Sequence, residues 1–393
     1  MSVRTFGHKS KMSDRSNDPW LASISDLQRL DVDDGDNQSY LVNILKNQKM
    51  RKINKHNKPD EKISLSHGAG GKLSLELITS LFQGSFKNKI LNRLEDAAVL
   101  DLNGQKVAFT TDSYVIQPIF FPGGDIGKLA VCGTINDLAV MGAKPQALSC
   151  AMIIEEGLDK SILKKIVLSM KRTAQDAGVQ IVTGDTKVVE KGSADKIFIN
   201  TSGIGLIPPG MNLGKERIRA GDQIIISGTI GDHATAVLSS RTGLEFQTRV
   251  KSDCCYLSDL IGSILGFKEK IKFMRDPTRG GLASVLNEMV GGSGAGALLY
   301  EEKVPVKDEV AGFCELLGYD PLYLANEGKV IIVTAPEIAK KVKSLLRNNP
   351  KGREAEIIGE ITVKFKGMVG LKTKFGGTRV VDMLAGEQFP RIC

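Results

Sequence analysis

The last residue of the sequence is a cysteine, reached through Phe389-Pro390-Arg391-Ile392-Cys393. A terminal thiol behind a proline is an oxidation liability unless the chain uses it. It is not a prenylation signal, because that rule needs the cysteine fourth from the end. A second group of candidates is acidic. Asp96, Asp112, Asp185 and Asp232 stand in Gly- or Thr-flanked turns at strand ends or helix starts, and Asp137 lies on a helix. Magnesium takes a few carboxylates together with phosphate oxygens and water, so such aspartates could converge on a nucleotide-bound metal. Any single one could equally be a turn or cap residue. Glycine clusters at His67-Gly68-Ala69-Gly70-Gly71, Pro122-Gly123-Gly124-Asp125 and Arg279-Gly280-Gly281 each precede or open a helix, where backbone N–H groups can meet phosphate. Neither a G-x-x-x-x-G-K-[ST] loop nor a dinucleotide fingerprint is present. Lys187, two residues after Asp185 at a strand end, and Glu327, in Ala325-Asn326-Glu327-Gly328 before a buried strand, are candidate charged groups; a surface ion pair is the alternative for each.

These residues must be placed by a sizeable fold. The chain has 393 residues, 41% hydrophobic and 25% charged, which allows two or three domains with their own cores. Its formal charge of +8 comes from scattered Lys and Arg with no interleaved aromatics, which favours an anionic small molecule over nucleic acid. The six cysteines show no zinc spacing, no apolar run reaches membrane-spanning length, and no secretory signal is present. A reduced, cytoplasmic protein is expected.

Residues 1–62 are polar, with one apolar stretch at Trp20-Leu21-Ala22-Ser23-Ile24, and are expected to be a disordered extension. Asp31-Val32-Asp33-Asp34-Gly35-Asp36 lacks the closing Glu of a calcium loop. From residue 63, strand and helix signals alternate. Strands are expected at 107–110, 147–154, 179–182, 223–227, 330–334 and 357–363. Helices are expected from Asp125 to Gly142, after Asp159, after Asp232, at 277–290 and at 338–346. A boundary falls near Pro208-Pro209-Gly210, and residues 376–393 suit a movable arm. Mixed strands and helices in both halves predict α/β and α+β domains.

Several segments together carry a resemblance. Thr111-Asp112-Ser113-Tyr114-Val115, Phe121-Pro122-Gly123-Gly124-Asp125-Ile126-Gly127 and Gly133-Thr134-Ile135-Asn136-Asp137-Leu138-Ala139-Val140 come first. Gly184-Asp185-Thr186-Lys187-Val188-Val189, Arg275-Asp276-Pro277-Thr278-Arg279-Gly280-Gly281, Ala325-Asn326-Glu327-Gly328 and Pro390-Arg391-Ile392-Cys393 follow in order. The chain from about residue 63 to its end resembles the HypE family of hydrogenase maturation factors. These are carbamoyl dehydratases of the aminoimidazole ribonucleotide synthetase and selenophosphate synthetase superfamily.

The resemblance implies a two-domain aminoimidazole ribonucleotide synthetase-like fold. Residues 63–208 would form an N-terminal α/β domain that binds ATP and dimerises, and 209–375 an α+β domain that supplies the opposite wall. Residues 376–393 would be a flexible tail. It implies that a carbamoyltransferase, HypF, loads Cys393, and that ATP phosphorylates the carbamoyl oxygen. The resulting thiocyanate would yield its cyano group to iron on a HypC–HypD complex, for the nickel–iron hydrogenase site. It places Asp96, Asp112 and Asp137 at Mg2+ and phosphate. Asp185, Asp232, Gly123 and Gly124 would be further nucleotide residues, and Lys187 and Glu327 would stand around the carbamoyl group. A selenophosphate synthetase would carry a reactive Cys in its first glycine loop, and His67–Gly71 has none. A non-enzymatic nucleotide-binding scaffold is the other alternative.

Overall fold

The structure, a computed structural model, describes residues 62–241, 248–386 and 391–393. The expected extension, apart from Lys62, and residues 387–390 of the expected arm lie outside the described residues. Residues Ile63–Cys393 form one compact unit.

Its first half is a five-stranded sheet in the order β1-β2-β7-β5-β6. The strands are β1 (Ala98–Leu102), β2 (Gln105–Tyr114), β5 (Lys144–Glu155), β6 (Gln180–Val189) and β7 (Ile197–Leu206). A two-residue hairpin, β3 (Phe120–Phe121) and β4 (Gly124–Asp125), turns through Pro122-Gly123. Helix α1 (Lys72–Leu77) precedes the sheet, and α2 (Ile126–Val140) and α3 (Lys160–Asp176) pack against it and each other. Alternation along β7 is regular, with Ile197, Ile199, Thr201, Gly203 and Gly205 turned inward. The opposite face leaves Phe109, Ile153 and Ile204 exposed. Asp125 caps α2, its carboxylate accepting from the N–H groups of Gly127 and Lys128 at 2.8 and 3.1 Å. Asp159, expected to cap α3, makes no side-chain cap bond.

The second half holds a seven-stranded sheet in the order β14-β13-β10-β12-β8-β11-β9. Its strands are β8 (Gln223–Ile226), β9 (Ile271–Arg275), β10 (Gly296–Tyr300), β11 (Ile331–Thr334), β12 (Glu356–Thr362), β13 (Val369–Lys372) and β14 (Thr378–Val381). Helices α4 (Asp232–Ser239), α5 (Ser258–Gly262), α6 (Gly281–Val290), α7 (Asp308–Leu317) and α8 (Pro336–Arg347) complete it. Every residue of β11 is buried, as a central strand covered on both faces requires. Strands β9, β10 and β13 were not foreseen, because short runs such as Ile271–Arg275 mix charge with apolar residues.

Four boundaries differ most from the expectation. Strand β2 runs on past Thr110 to Tyr114 through its pairing with β7, so Asp112 lies inside a strand and not in a turn beyond it. Helix α6 starts at Gly281 rather than 277, because Gly280 and Gly281 take φ of +75° and +60° and hold the chain off the helical path. Strand β6 continues past Val182 to Val189, paired in parallel with β5, so Asp185 and Lys187 lie inside a strand. The first residues of the arm pair with β13 as β14, with Val369 opposite Val381.

Helical glycines give a paired test of this packing. A Cβ on Gly127 in α2 would meet Ile166 O at 2.7 Å and Met170 Cγ at 2.8 Å, whereas one on the exposed Gly312 in α7 meets nothing. Gly312→Ala is expected to stabilise the fold by about 0.5–1 kcal/mol through the unfolded chain. Gly127→Ala is expected to destabilise it by roughly 1–3 kcal/mol through overpacking. Shifts of the urea midpoint in opposite directions check both.

Candidate active site

A cavity of about 800 Å³ opens between the two halves. From the first half it takes Asp96, Asp112, Tyr114, Gly133 and Asp137. From the second come Arg275, Asp276, Arg279, Glu288 and Glu327, and Cys393 enters from the chain end. The loop containing His67, Gly68 and Gly70 also borders it. Gly70 has φ of +74°, and its Cβ would stand 2.8 Å from that of Arg279, so only glycine lets the loop lie so close.

Carboxyl groups dominate the electrostatics. Asp96 is held by Arg275, whose Nε lies 3.0 and 3.2 Å from its two oxygens. The same guanidinium donates to Glu288 at 2.7 Å, to Glu95 at 3.4 Å and to the Leu94 carbonyl at 2.9 Å. Even so, burial raises the pKa of Asp96, with Arg275 opposing the shift. Asp137 is raised further, by burial and then by the neighbouring Asp276, Asp112 and Asp96, while the Thr110 hydroxyl donates to it at 2.8 Å. Asp276 is pushed up to about 8 by burial and Asp96. Such a crowd of carboxyls is set up to receive positive charge.

Glu327 is 3% exposed, its Oε1 has no hydrogen-bond partner, and burial holds its pKa well above the ordinary value. Its main chain is firmly placed. The Glu327 N–H donates to Asp253 Oδ1 at 3.1 Å, and its carbonyl accepts from Cys255 N–H at 3.3 Å. Asp253 is ion-paired to Lys329 at 2.9 Å, both being almost fully buried. Burial alone would raise the Asp253 pKa, but Lys329 and further partners bring it below the usual value.

The final residues run antiparallel to the end of β2. Val115 N–H donates to Cys393 O at 3.4 Å and Gln117 N–H to Arg391 O at 3.2 Å. Arg391 returns a bond from Nε to Val115 O at 3.0 Å and pairs with Asp195 at 2.5 Å. Ile392 is buried in the first hydrophobic cluster. Burial pushes the Cys393 thiol up to about 12, with Arg279 pulling the other way.

Of the expected site residues, the structure thus brings Asp96, Asp112, Asp137, Glu327 and Cys393 to one cavity. The others lie elsewhere in this chain. Asp112 pairs across to Thr201, Thr201 to Cys150, and Cys150 to Gly184. Asp185 and Lys187 are therefore three strands away from Asp112, about 14 Å at about 4.8 Å per strand. There they form an exposed ion pair of 2.9 Å, and Lys187 does not meet Glu327. Asp232 is buried outside the cavity lining, its carboxylate bonded to Lys307 and Thr229 at 2.7 Å each. Gly123 and Gly124 also lie away from the lining; a Cβ on Gly123 would stand 2.7 Å from Ser252 O. Sequence reasoning gave no role to Arg275, Asp276 and Arg279, although they stand in one motif that carried the resemblance. A charge-rich run at the end of a strand was the available signal.

Residues 94–207 match the family "AIR synthase related protein, N-terminal domain", and residues 219–372 match its C-terminal domain counterpart. The carbamoyl dehydratase HypE of Bradyrhizobium diazoefficiens is 49% identical over 332 residues, covering 84% of this chain and 96% of that protein. Among solved structures, the crystal structure of a HypE–HypF complex contains a chain 50% identical, with a TM-score of 0.75, covering 78% of this chain and 99% of its own. A hydrogenase maturation protein HypE in complex with ATP is 48% identical, with a TM-score of 0.71, covering 84% and 100%. With both domains matched in order and about half of the aligned residues identical, the chain belongs to the HypE family of carbamoyl dehydratases, the hydrogenase maturation proteins.

Proposed function

We propose that the chain uses ATP to remove water from a carbamoyl group carried on the sulfur of Cys393, leaving a thiocyanate. The observation that carries this reading is the docking of Cys393 beside Glu327 in a cavity rimmed by carboxyls and large enough for a nucleotide. ATP is supported by the nucleotide bound to the similar HypE, and HypF, as the carbamoyltransferase partner, by the HypE–HypF complex. The cyano group would then pass to iron on a HypC–HypD complex and become a cyanide ligand of nickel–iron hydrogenase.

The chemistry follows from a poor leaving group. A carbamoyl oxygen does not leave as hydroxide, but once it has accepted the γ-phosphoryl group it leaves as phosphate. The nitrogen loses its two protons as the C–N bond order rises to three, and ADP and phosphate carry away the elements of water. Glu327 is suited to take a proton, since a carboxylate held at a raised pKa is a stronger base than an exposed one. Arg279 lines the same cavity as Cys393, interacts electrostatically with it and can hold negative charge developing there.

Asp96, Asp112 and Asp137 would hold Mg2+. Their hard oxygens suit it, and the neighbouring carboxyls that help burial to raise the pKa of Asp137 mark a place where a cation would relieve repulsion. Among the described residues no three His, Cys, Asp or Glu side chains stand close enough to hold an ion alone. Substrate phosphates and water would therefore supply the rest of its coordination. Once bound, the ion would neutralise phosphate charge.

Lys187 enters this scheme through a second copy of the chain. Its strand, β6, is an exposed sheet edge, and the face that carries Lys187 also carries exposed Phe109, Ile153 and Ile204. A homodimer closing over that face would bring Lys187 toward the partner's cavity, and it would bury apolar area that monomers rarely leave open.

Intact-mass measurement tests the central claim. With carbamoyltransferase, carbamoyl phosphate and ATP, the terminal peptide should gain a carbamoyl group and then lose one water, and Cys393→Ala should do neither. An unmodified terminal peptide alongside normal ATP hydrolysis would sink the reading. Glu327→Gln should load the carbamoyl group and stall before water loss, and it should lose the rise in rate with pH that a high-pKa base confers; dehydration at the native rate excludes Glu327 as the base. Lys187→Ala and Cys393→Ala are each expected to be inactive alone. After exchange of subunits, mixed dimers should regain about a quarter of wild-type dehydration, since half the dimers would carry one complete site of two. No recovery would place Lys187 in its own chain's site.

A further inference from the structure

One fully buried titratable group plays no part in that mechanism. His233 lies at the start of α4, with Phe121 packed edge-on against its ring at 5.4 Å. Its Nδ1 is 2.7 Å from Ser252 Oγ and its Nε2 is 2.7 Å from the carbonyl oxygen of Ile392, the residue before the terminal cysteine. A carbonyl can only accept, so Nε2 must carry a proton. Ser252 Oγ accepts from Cys254 N–H at 3.0 Å, which leaves the hydroxyl's own proton for Nδ1. A neutral imidazole protonated on Nε2 is then satisfied at both ends, and burial holds the His233 pKa below its ordinary value.

The neighbours of this ring connect it to the catalytic carboxyl. Ser252 N–H donates to Pro122 O at 2.8 Å, in the close approach that the absent side chain of Gly123 permits. The next residue, Asp253, holds the Glu327 N–H at 3.1 Å. Consecutive residues of one segment thus fix the tail, through His233, and Glu327, through its main chain. The other bonds to residues 391–393 come from Val115, Gln117 and Arg241, or from the Arg391 side chain itself. Among the described residues, the His233 bond is the one side-chain bond to this segment made wholly out of water.

We infer that His233 is a positioning residue that latches the terminal segment by the Ile392 carbonyl and sets the Cys393 sulfur in register with Glu327. The catalytic part of this inference rests on the proposed dehydration; the latch itself does not.

The test compares the full-length wild type with His233→Leu and His233→Gln. The Gln side chain keeps an N–H donor near the position of Nε2. Iodoacetamide labelling of the native protein, read on the terminal peptide by mass spectrometry, reports how often the tail is undocked. Loss of one buried hydrogen bond should speed alkylation of Cys393 about tenfold in His233→Leu. It should slow single-turnover water loss from the carbamoylated tail while leaving carbamoyl loading undiminished. His233→Gln should recover most of both effects. A folded His233→Leu that alkylates and dehydrates at wild-type rates overturns the latch. So does a folded His233→Gln as impaired as Leu, which would mean the ring acts by packing alone. If His233→Leu does not fold, Ser252→Ala decides: it removes the hydroxyl that orients the imidazole, and unchanged alkylation there overturns the proposal. Should the wild type never carry or dehydrate a carbamoyl group, the functional reading falls, and the alkylation rates still decide the latch.

Discussion

The arrangement depends on one buried cation. Arg275 ends a strand of the second sheet and reaches across to Asp96 and Glu95 from the first half, while also binding Glu288 on α6. Without that guanidinium, several carboxyls would face one another at low dielectric, and a buried pair broken on one side typically costs about 3–5 kcal/mol. Its hydrogen bond to the Leu94 carbonyl fixes the backbone just before Asp96 as well. One side chain thereby locks the two halves together and sets an acidic cavity at their junction. The charge balance there remains incomplete, with Asp137 and Asp276 left at raised pKa values. Stability of the empty fold and readiness for a cationic ligand are the same electrostatic fact.

Glycines carry a second constraint, close approach. Tyr114 fits over α2 because Gly133 has no side chain; a Cβ there would lie 2.2 Å from the tyrosine hydroxyl oxygen. The loop before α1 meets Arg279 through Gly70, and the segment at Ser252 meets the β3–β4 turn through Gly123. Each contact sits on the rim of the cavity or beneath the tail. The abundance of glycine in this sequence is therefore partly a record of backbones brought together around a ligand site, and only partly of turns.

Much of this was legible in the sequence. Strands β2, β5, β6, β8, β11 and β12 and helices α2, α3, α4, α6 and α8 show in the apolar patterning, and Asp96, Asp112, Asp137, Glu327 and Cys393 in residue type and context, whereas β1, the central β7 and α7 do not show. What failed to show has physical reasons. Asp185 and Lys187 read as a loop at a strand end because Thr183-Gly184-Asp185-Thr186-Lys187 is polar, yet pairing with β5 carries the strand through them. A single chain cannot reveal that their face is open, since exposure belongs to the tertiary fold. Asp232 shares its Gly-flanked context with the site aspartates, but Lys307, 75 residues later, claims its carboxylate. His233 gave no signal, because its partner Ile392 is met through a main-chain carbonyl, which leaves no trace in residue type.

The contacts that seat residues 391–393 engage main-chain atoms of Arg391, Ile392 and Cys393, the Arg391 side chain and the buried Ile392 side chain. None of these recognises the terminal sulfur. These contacts do not involve the thiol, so on the proposed cycle they would hold the bare, the acylated and the nitrile-bearing tail alike, while the sulfur itself packs against the first hydrophobic cluster near Arg279 and Glu327. Direction through the cycle must then come from the irreversible steps on either side. On the proposed function the chain's end would be an indifferent shuttle, emptied and refilled by the chemistry it visits.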